Sequence, residues 1–192
     1  MKKTKRKKKM YNNFDSKFFK KNLNKRIFEK IKQLKFSEAI KEAINESIHI
    51  ENIEKILLWC NYKKIFVNFF PTDQENYSNS LRRIQVNSDS SLESQMFTLL
   101  HECGHHLIFE SAVRDPQLYI ERFSRGYYSQ LSEEIISTYG RKISIIAEEI
   151  EAWVRGFNLS KRLDLKIDYV RFEEYKNRCL ESYVKWGLEK ED

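Results

Sequence analysis

Residues 90–108 read SSLESQMFTLLHECGHHLI, and they contain an H-E-x-x-H motif at residues 101–105. Side chains four residues apart lie on one face of a helix, so His101 and His105 can bind a single metal ion. Glu102 follows the first histidine and can act as the general base that takes a proton from a metal-activated water. This combination is typical of a catalytic zinc site, and we therefore predict Zn²⁺ as the cofactor.

The sequence around the motif favours a helix that lies inside a domain. Ser90 and Glu93 have the spacing of a capping box, which predicts that the helix begins with Ser90 as its N-cap. The apolar residues that follow recur at helical spacing, and they are Leu92, Met96, Leu99, Leu100, Cys103 and Leu107. Ionisable groups in so apolar a helix are costly without a partner. The alternative interpretation is a pair of hydrogen-bonded core histidines, and His106 is not predicted to be a ligand.

The length and composition of the chain predict one globular domain with a charged tail. At 192 residues the chain can form one full hydrophobic core, and we place the single domain at residues 12–192. Seven of the 35 basic residues fall within residues 2–9, where there is no acidic residue. Removing those seven leaves 28 basic residues, which equals the number of acidic ones. Residues 1–11 are therefore predicted to be a disordered basic tail, and contact with nucleic acid is one of its candidate roles.

The cysteine pattern and the hydropathy of the sequence predict a cytoplasmic protein. Three cysteines without C-x-x-C spacing favour free thiols in a reducing compartment. The basic N-terminus is not followed by the apolar segment of a signal peptide. No stretch approaches the roughly 18 apolar residues of a membrane span, so we expect no membrane partner.

Hydrophobic periodicity predicts an α+β fold that is mainly helical. Besides the motif helix, helices are predicted over residues 14–34, 37–60, 143–163 and 168–187. β-branched and aromatic residues predict strands at Lys64–Phe70 and Arg82–Asn87, with a polar loop over residues 72–80 between them. We expect these strands to form a small antiparallel sheet beside the motif helix.

A catalytic zinc site usually has three protein ligands, and no histidine follows His106 in the chain. The segment AEEIEAW at residues 147–153 offers Glu148, Glu149 and Glu151 on a predicted helix. The apolar face of that helix is predicted to consist of Ile146, Ile150, Trp153, Val154 and Phe157. Glu148 points away from this face toward solvent, whereas Glu149 borders it. We therefore predict Glu149 as the third ligand, with Glu151 as the alternative.

The order of two strands, an H-E-x-x-H helix and a later helix with E-x-x-A resembles the gluzincin-type zinc peptidases. More narrowly, it resembles the ImmA/IrrE-type metallopeptidases of bacteria, phages and mobile elements. The resemblance implies a zincin-like domain in which His101, His105 and Glu149 bind zinc and Glu102 is the general base. Trp153 stands where the family often has Asn or Asp, as we expect of a phage-type variant, and this departure keeps Glu151 open.

Zinc-dependent hydrolysis of peptide bonds in a protein or peptide substrate is thus the predicted function. The family resemblance implies that a transcriptional repressor is a candidate substrate. Tyr127, Tyr128 and Tyr139 are candidates for stabilising the oxyanion. The strand at Ile84–Asn87 is a candidate sheet edge that pairs with an extended substrate.

Two other functions remain open at this stage. The first is an SprT-like, DNA-associated protease that the basic tail tethers to nucleic acid, although such proteins more often use a third histidine. The second is a non-catalytic, zinc-containing binding protein that acts on a repressor or a toxin. The intact Glu102 argues against the second function, because a purely structural zinc site needs no base.

Overall fold

A computed structural model describes residues 36–72, 75–117 and 138–189 of the chain. Its elements are α1 (Phe36–Tyr62), β1 (Phe66–Phe70), β2 (Asn76–Ser78), β3 (Arg83–Asn87), α2 (Leu92–Arg114), α3 (Thr138–Arg162) and α4 (Tyr169–Leu188). The predicted α+β class is confirmed, since helices predominate and one small sheet lies beside the motif helix α2. The predicted basic tail and the predicted helix over residues 14–34 lie outside the described residues. None of the described helices combines the length and hydropathy that crossing a lipid bilayer requires.

The sheet is mixed, so the prediction of an antiparallel sheet is wrong in this detail. Its strand order is β1-β3-β2, with β1 parallel to β3 and β2 antiparallel to β3. The cause is β2, which lies within the predicted loop over residues 72–80. Because β2 runs back along the sheet before β3 begins, β3 has the same direction as β1.

The central place of β3 corrects a second prediction. Ile84–Asn87 was expected to be a free sheet edge, but β3 is bonded on one side to β1 and on the other to β2. Ile84 and Val86 are fully buried against the helices. The edges of the described sheet are β1 and β2.

The motif helix α2 begins one residue later than predicted. Ser91 is its N-cap, and the Ser91 hydroxyl accepts a hydrogen bond of 3.1 Å from the backbone N–H of Ser94. Ser90 instead donates from its hydroxyl to the carbonyl oxygen of Asn87, at the end of β3. With Ser91 as the N-cap, Glu93 stands at N2 instead of N3, so no capping box forms, and its carboxylate pairs with Arg171 of α4.

Helix α2 lies at the centre of the described structure, as its apolar sequence predicts. It contacts α1, α3, α4 and the sheet, and every residue from Gln95 to Gly104 is buried. Side chains of α1, β3, α2, α3 and α4 share one hydrophobic core. The core includes Ile53, Ile56, Ile84, Val86, Met96, Leu99, Leu100, Leu159 and Phe172. The first half of the H-E-x-x-H motif is therefore held in the most buried part of the described fold.

Helices α2 and α3 cross with their backbones in contact. A Cβ at Gly104 would overlap the carbonyl oxygen of Ala152, and a Cβ at Gly156 would overlap that of Leu100. This crossing decides which face of α3 is buried, so part of the predicted apolar face is wrong. Ile150 and Val154 are 46% and 45% exposed, whereas a face that contains Ala152, Trp153 and Gly156 packs inward. Glu149 lies on that inward face.

Candidate metal centre

His101 and His105 of α2 meet Glu149 of α3 at one point. The two Nε2 atoms of the histidines lie 3.2 Å apart. One oxygen of Glu149 lies 3.1 Å from Nε2 of His101, and the other lies 3.4 Å from Nε2 of His105. The structure therefore brings together the three residues that the sequence predicted as metal ligands.

The two distances from Glu149 belong to different carboxylate oxygens, and all three separations are close to those between ligand atoms around a tetrahedral zinc ion. Bonds of about 2.0–2.1 Å in a tetrahedron place neighbouring ligand atoms roughly 3.3–3.4 Å apart. Oε2 of Glu149 is buried and, apart from its 3.1 Å ion-pair contact with Nε2 of His101, has no partner in hydrogen-bonding geometry among the described residues. A buried carboxylate oxygen in that state is costly unless a cation binds it. Two imidazoles and one carboxylate are also a donor set that zinc commonly has in peptidases.

The carboxylate of Glu149 and the imidazole of His105 shift each other's pKa. Burial alone would raise the pKa of Glu149, but its contacts with His101 and His105 outweigh burial and lower that pKa to about 2. Burial alone would lower the pKa of His105, but contacts with Glu148 and Glu149 raise it to about 10. The cluster therefore holds Glu149 in the charged form that binds a cation.

Glu102 lies beside this cluster and is only 5% exposed. Burial raises the pKa of its carboxyl group, and the nearby histidines partly oppose that rise. A carboxylate with a raised pKa is a stronger base than an exposed glutamate, which suits the predicted role in proton transfer.

The other two acidic candidates on α3 have different partners. Glu151 accepts a hydrogen bond of 2.7 Å from Arg155, whose guanidinium also binds the carbonyl oxygen of Leu107. Glu148 was predicted to point into solvent, and this is wrong. One of its oxygens lies 3.6 Å from Nδ1 of His105, the ring nitrogen that faces away from the cluster. Glu148 can therefore orient His105 from behind, as carboxylates do for histidines that bind metals.

His106 is fully buried behind the motif and faces the sheet. Its Nδ1 lies 2.7 Å from the hydroxyl of Tyr77 on β2, and its Nε2 lies 3.3 Å from Glu110. Lys63 in turn forms an ion pair with Glu110. These contacts fasten β2 to α2 next to the motif, and that His106 is not a metal ligand stays a prediction.

A cleft of about 380 Å³ opens onto the cluster. Its walls come from β2 and the turn that follows, from α2, from α3 and from α4. They include Glu75, Asn76, Tyr77, Asn79, Ile108, Phe109, Ala112, Ile145 and Tyr183, besides the cluster itself. The cleft therefore joins a polar wall at β2 to an apolar wall formed by α2 and α3.

Tyr183 of α4 is a cleft residue that sequence reasoning missed. Its hydroxyl contacts Glu149, and burial together with the charges of Glu149 and Glu102 raises its pKa. In the sequence it belongs to an aromatic stripe at helical spacing, which is typical of core packing, and nothing there separates it from Tyr175. The earlier oxyanion candidates Tyr127 and Tyr128 lie outside the described residues, as does the side chain of Tyr139.

Comparison with known proteins bears on part of the chain. The family model for the IrrE N-terminal-like domain, Peptidase_M78, matches residues 60–136. The match contains the sheet and the motif helix and ends before Glu149, and it supports a metallopeptidase-type function. No curated protein and no solved structure shows significant similarity to the chain. The predicted resemblance to ImmA/IrrE-type proteins is confirmed by the family match.

Proposed function

We propose that this chain, which resembles the IrrE N-terminal-like domain over residues 60–136, is a zinc-dependent peptidase that hydrolyses peptide bonds of a protein substrate. The observation that carries the proposal is the convergence of His101, His105 and Glu149 beside the buried Glu102, at the wall of an open cleft. Three protein ligands on one side of a cleft leave a coordination position for a reactant, which distinguishes catalytic from structural zinc sites.

The described residues provide the other parts of a hydrolytic site. When bound, zinc would supply the Lewis acidity that lowers the pKa of a water molecule to about 7 and polarises a carbonyl group. Glu102 would accept the proton of the attacking water and pass it to the leaving amine. The Tyr183 hydroxyl faces the same cleft and would donate a hydrogen bond to the substrate oxygen as negative charge develops there.

Strand β2 is the part of the sheet best placed to bind an extended substrate. It is an edge of the described sheet, and Asn76 and Tyr77 line the cleft. An extended peptide can add to such an edge through main-chain hydrogen bonds, which hold it beside the catalytic groups. We therefore assign the pairing with an extended substrate, which was expected of Ile84–Asn87, to β2.

The family also suggests a substrate and a location. We propose a transcriptional repressor as the substrate and the cytoplasm as the site of action, where Cys60, Cys103 and Cys179 would persist as free thiols. Contact of the basic tail with nucleic acid remains a proposal. A DNA-associated protease of the SprT-like kind is less favoured, because the third donor beside the histidines is Glu149.

Replacing Glu102 tests the function directly. The zinc-loaded wild type and its Glu102→Gln variant are incubated with a proteome-derived peptide mixture, and cleavage is read by mass spectrometry. We expect Glu102→Gln to reduce cleavage about 10²–10⁴-fold, because the general base is lost, while the zinc content stays unchanged. Glu151→Gln is the matched control, since Glu151 is paired with Arg155, and it should cleave like the wild type.

Two results would contradict the proposal. Cleavage retained by Glu102→Gln would remove the assigned base. A zinc-loaded wild type that cleaves no peptide and no candidate repressor would favour the non-catalytic binding protein instead.

A further inference from the structure

We propose that Trp153 is a positioning residue of the metal centre, where its indole ring holds the imidazole of His101 in the orientation that turns Nε2 toward His105 and Glu149. The inference depends on the proposed metal centre but not on peptidase activity. It rests on a difference between the two histidines and on the packing around one of them.

Different contacts hold the two histidine rings in place. A histidine that binds a metal through one ring nitrogen is usually held by a hydrogen bond from the other. For His105 a carboxylate faces the other nitrogen, since Glu148 lies 3.6 Å from Nδ1, within the distance of an ion pair. For His101, Nδ1 is buried and has no hydrogen-bond partner within the part of the chain that the structure describes. Within the described structure, the orientation of the His101 ring therefore has another source.

That source is a stacked aromatic ring. The ring centroids of His101 and Trp153 lie 4.3 Å apart, and the two planes differ by 25°. Stacking of this kind fixes the plane of the imidazole, because a rotated ring would collide with the indole or lose contact with it. Since Trp153 lies four residues after Glu149 on α3, one helix presents both a donor to the metal and the surface that orients a second donor.

The indole is itself immobilised by its neighbours. Trp153 is 2% exposed, and Phe172 and Tyr175 of α4 pack edge-on against it at centroid distances of 5.6 and 5.9 Å. Its Nε1 is buried without a hydrogen-bond partner among the described residues, so packing alone holds the ring. A polar aromatic residue in so apolar a position is better explained by the face that it offers to His101 than by its N–H group.

Zinc affinity separates this role from ordinary core packing. Competition with a chromophoric chelator is used to measure zinc binding by the wild type, Trp153→Leu, Trp153→Phe and Ile53→Ala. We expect Trp153→Leu to weaken binding about 10–100-fold, the usual effect of losing a group that orients a ligand. Trp153→Phe should restore most of the affinity, because it restores a stacking ring. Ile53→Ala should lower the melting temperature but keep the wild-type affinity, since Ile53 is a fully buried core residue of α1 and is not one of the rings that pack on Trp153.

Tryptophan emission gives a second measurement, which a loss of core packing alone would not change. Zinc binding to His101 changes the ring stacked on Trp153, so adding zinc should change the emission of the wild type. That change should vanish in Trp153→Phe and persist in Trp59→Phe and Trp186→Phe.

Several outcomes would overturn the inference. Unchanged zinc affinity in Trp153→Leu would do so, as would equal losses in Trp153→Leu and Ile53→Ala. A wild type that binds no zinc would overturn it together with the metal centre. A zinc-binding wild type without peptidase activity would remove the proposed function and leave the role of Trp153 standing.

Discussion

At the scale of single residues, three glutamates that lie close together on α3 have different contacts. Glu149 faces both histidines, Glu148 stands behind His105, and Glu151 binds Arg155 on another side of α3. The helical period of 3.6 residues sends these three carboxylates in different directions. Their chemistry is the same in the sequence, and only their direction decides which of them can bind a metal.

Glu149→Ala and Glu151→Ala should therefore differ in metal content. We expect Glu149→Ala to lose most of its zinc, because two imidazoles remain where a stable site needs three protein ligands. Glu151→Ala should keep near-stoichiometric zinc. Elemental analysis of both purified variants beside the wild type gives the answer, and the reverse pattern would move the third ligand to Glu151.

At the scale of elements, the crossing of α2 and α3 sets the distance between the ligands. The two histidines belong to α2 and Glu149 to α3, so the separation of the helix axes determines whether the donors meet. Gly104, Gly156 and Ala152 allow the two backbones to touch. We expect a larger side chain at the crossing to push the two helices apart and so to move Glu149 away from the histidines.

Gly156→Ala tests this dependence on close approach. We expect it to destabilise the fold by about 1–3 kcal/mol, the usual cost of overpacking, and to weaken zinc binding. Gly187→Ala is the matched control, because its added Cβ would meet only the mobile end of Ile146, at 2.9 Å. Urea unfolding and zinc titration of both variants check the expectation, and equal stability of the two would refute it.

The same crossing explains which parts of α3 the sequence could predict. Glu149 was found because it borders an apolar stripe and because the motif required a third donor. Exposure of Ile150 and Val154 could not be foreseen, since small residues form the actual contact and contribute little to a hydrophobic pattern. Helix α2 was easier to predict, because its many large apolar side chains indicate a buried helix.

At the scale of the whole molecule, the centre draws on segments far apart in the chain. The family match ends at residue 136, yet Glu149 and Tyr183 lie on helices that follow it. Local patterns in the sequence identify the motif. The contact between Tyr183 and Glu149 depends on tertiary packing, which residue spacing does not predict. Strand β2 escaped prediction for a similar reason, since it is short, polar and stabilised by its pairing with β3. The single domain over residues 12–192 stays a prediction.

A metal bound between α2 and α3 should stabilise the whole fold. A ligand that binds only the native state at about 100 times its Kd adds about 2.7 kcal/mol. For a chain of this size, that corresponds to a rise of roughly 5–10 °C in the melting temperature. Thermal unfolding of the chelated and zinc-loaded wild type measures the rise, and Glu149→Ala should show none. An equal rise in that variant would place the stabilising zinc elsewhere.

The contact between the backbones of α2 and α3 also limits how this protein can diverge. Gly104 lies against the main chain of Ala152, and Gly156 lies against that of Leu100. A change in the backbone path of one helix would therefore require a matching change in the other. A chimera that takes residues 60–136 from a distant relative would inherit one half of the crossing without the other. Residues 100–104 and 152–156 should therefore be inherited together, as a single unit of exchange.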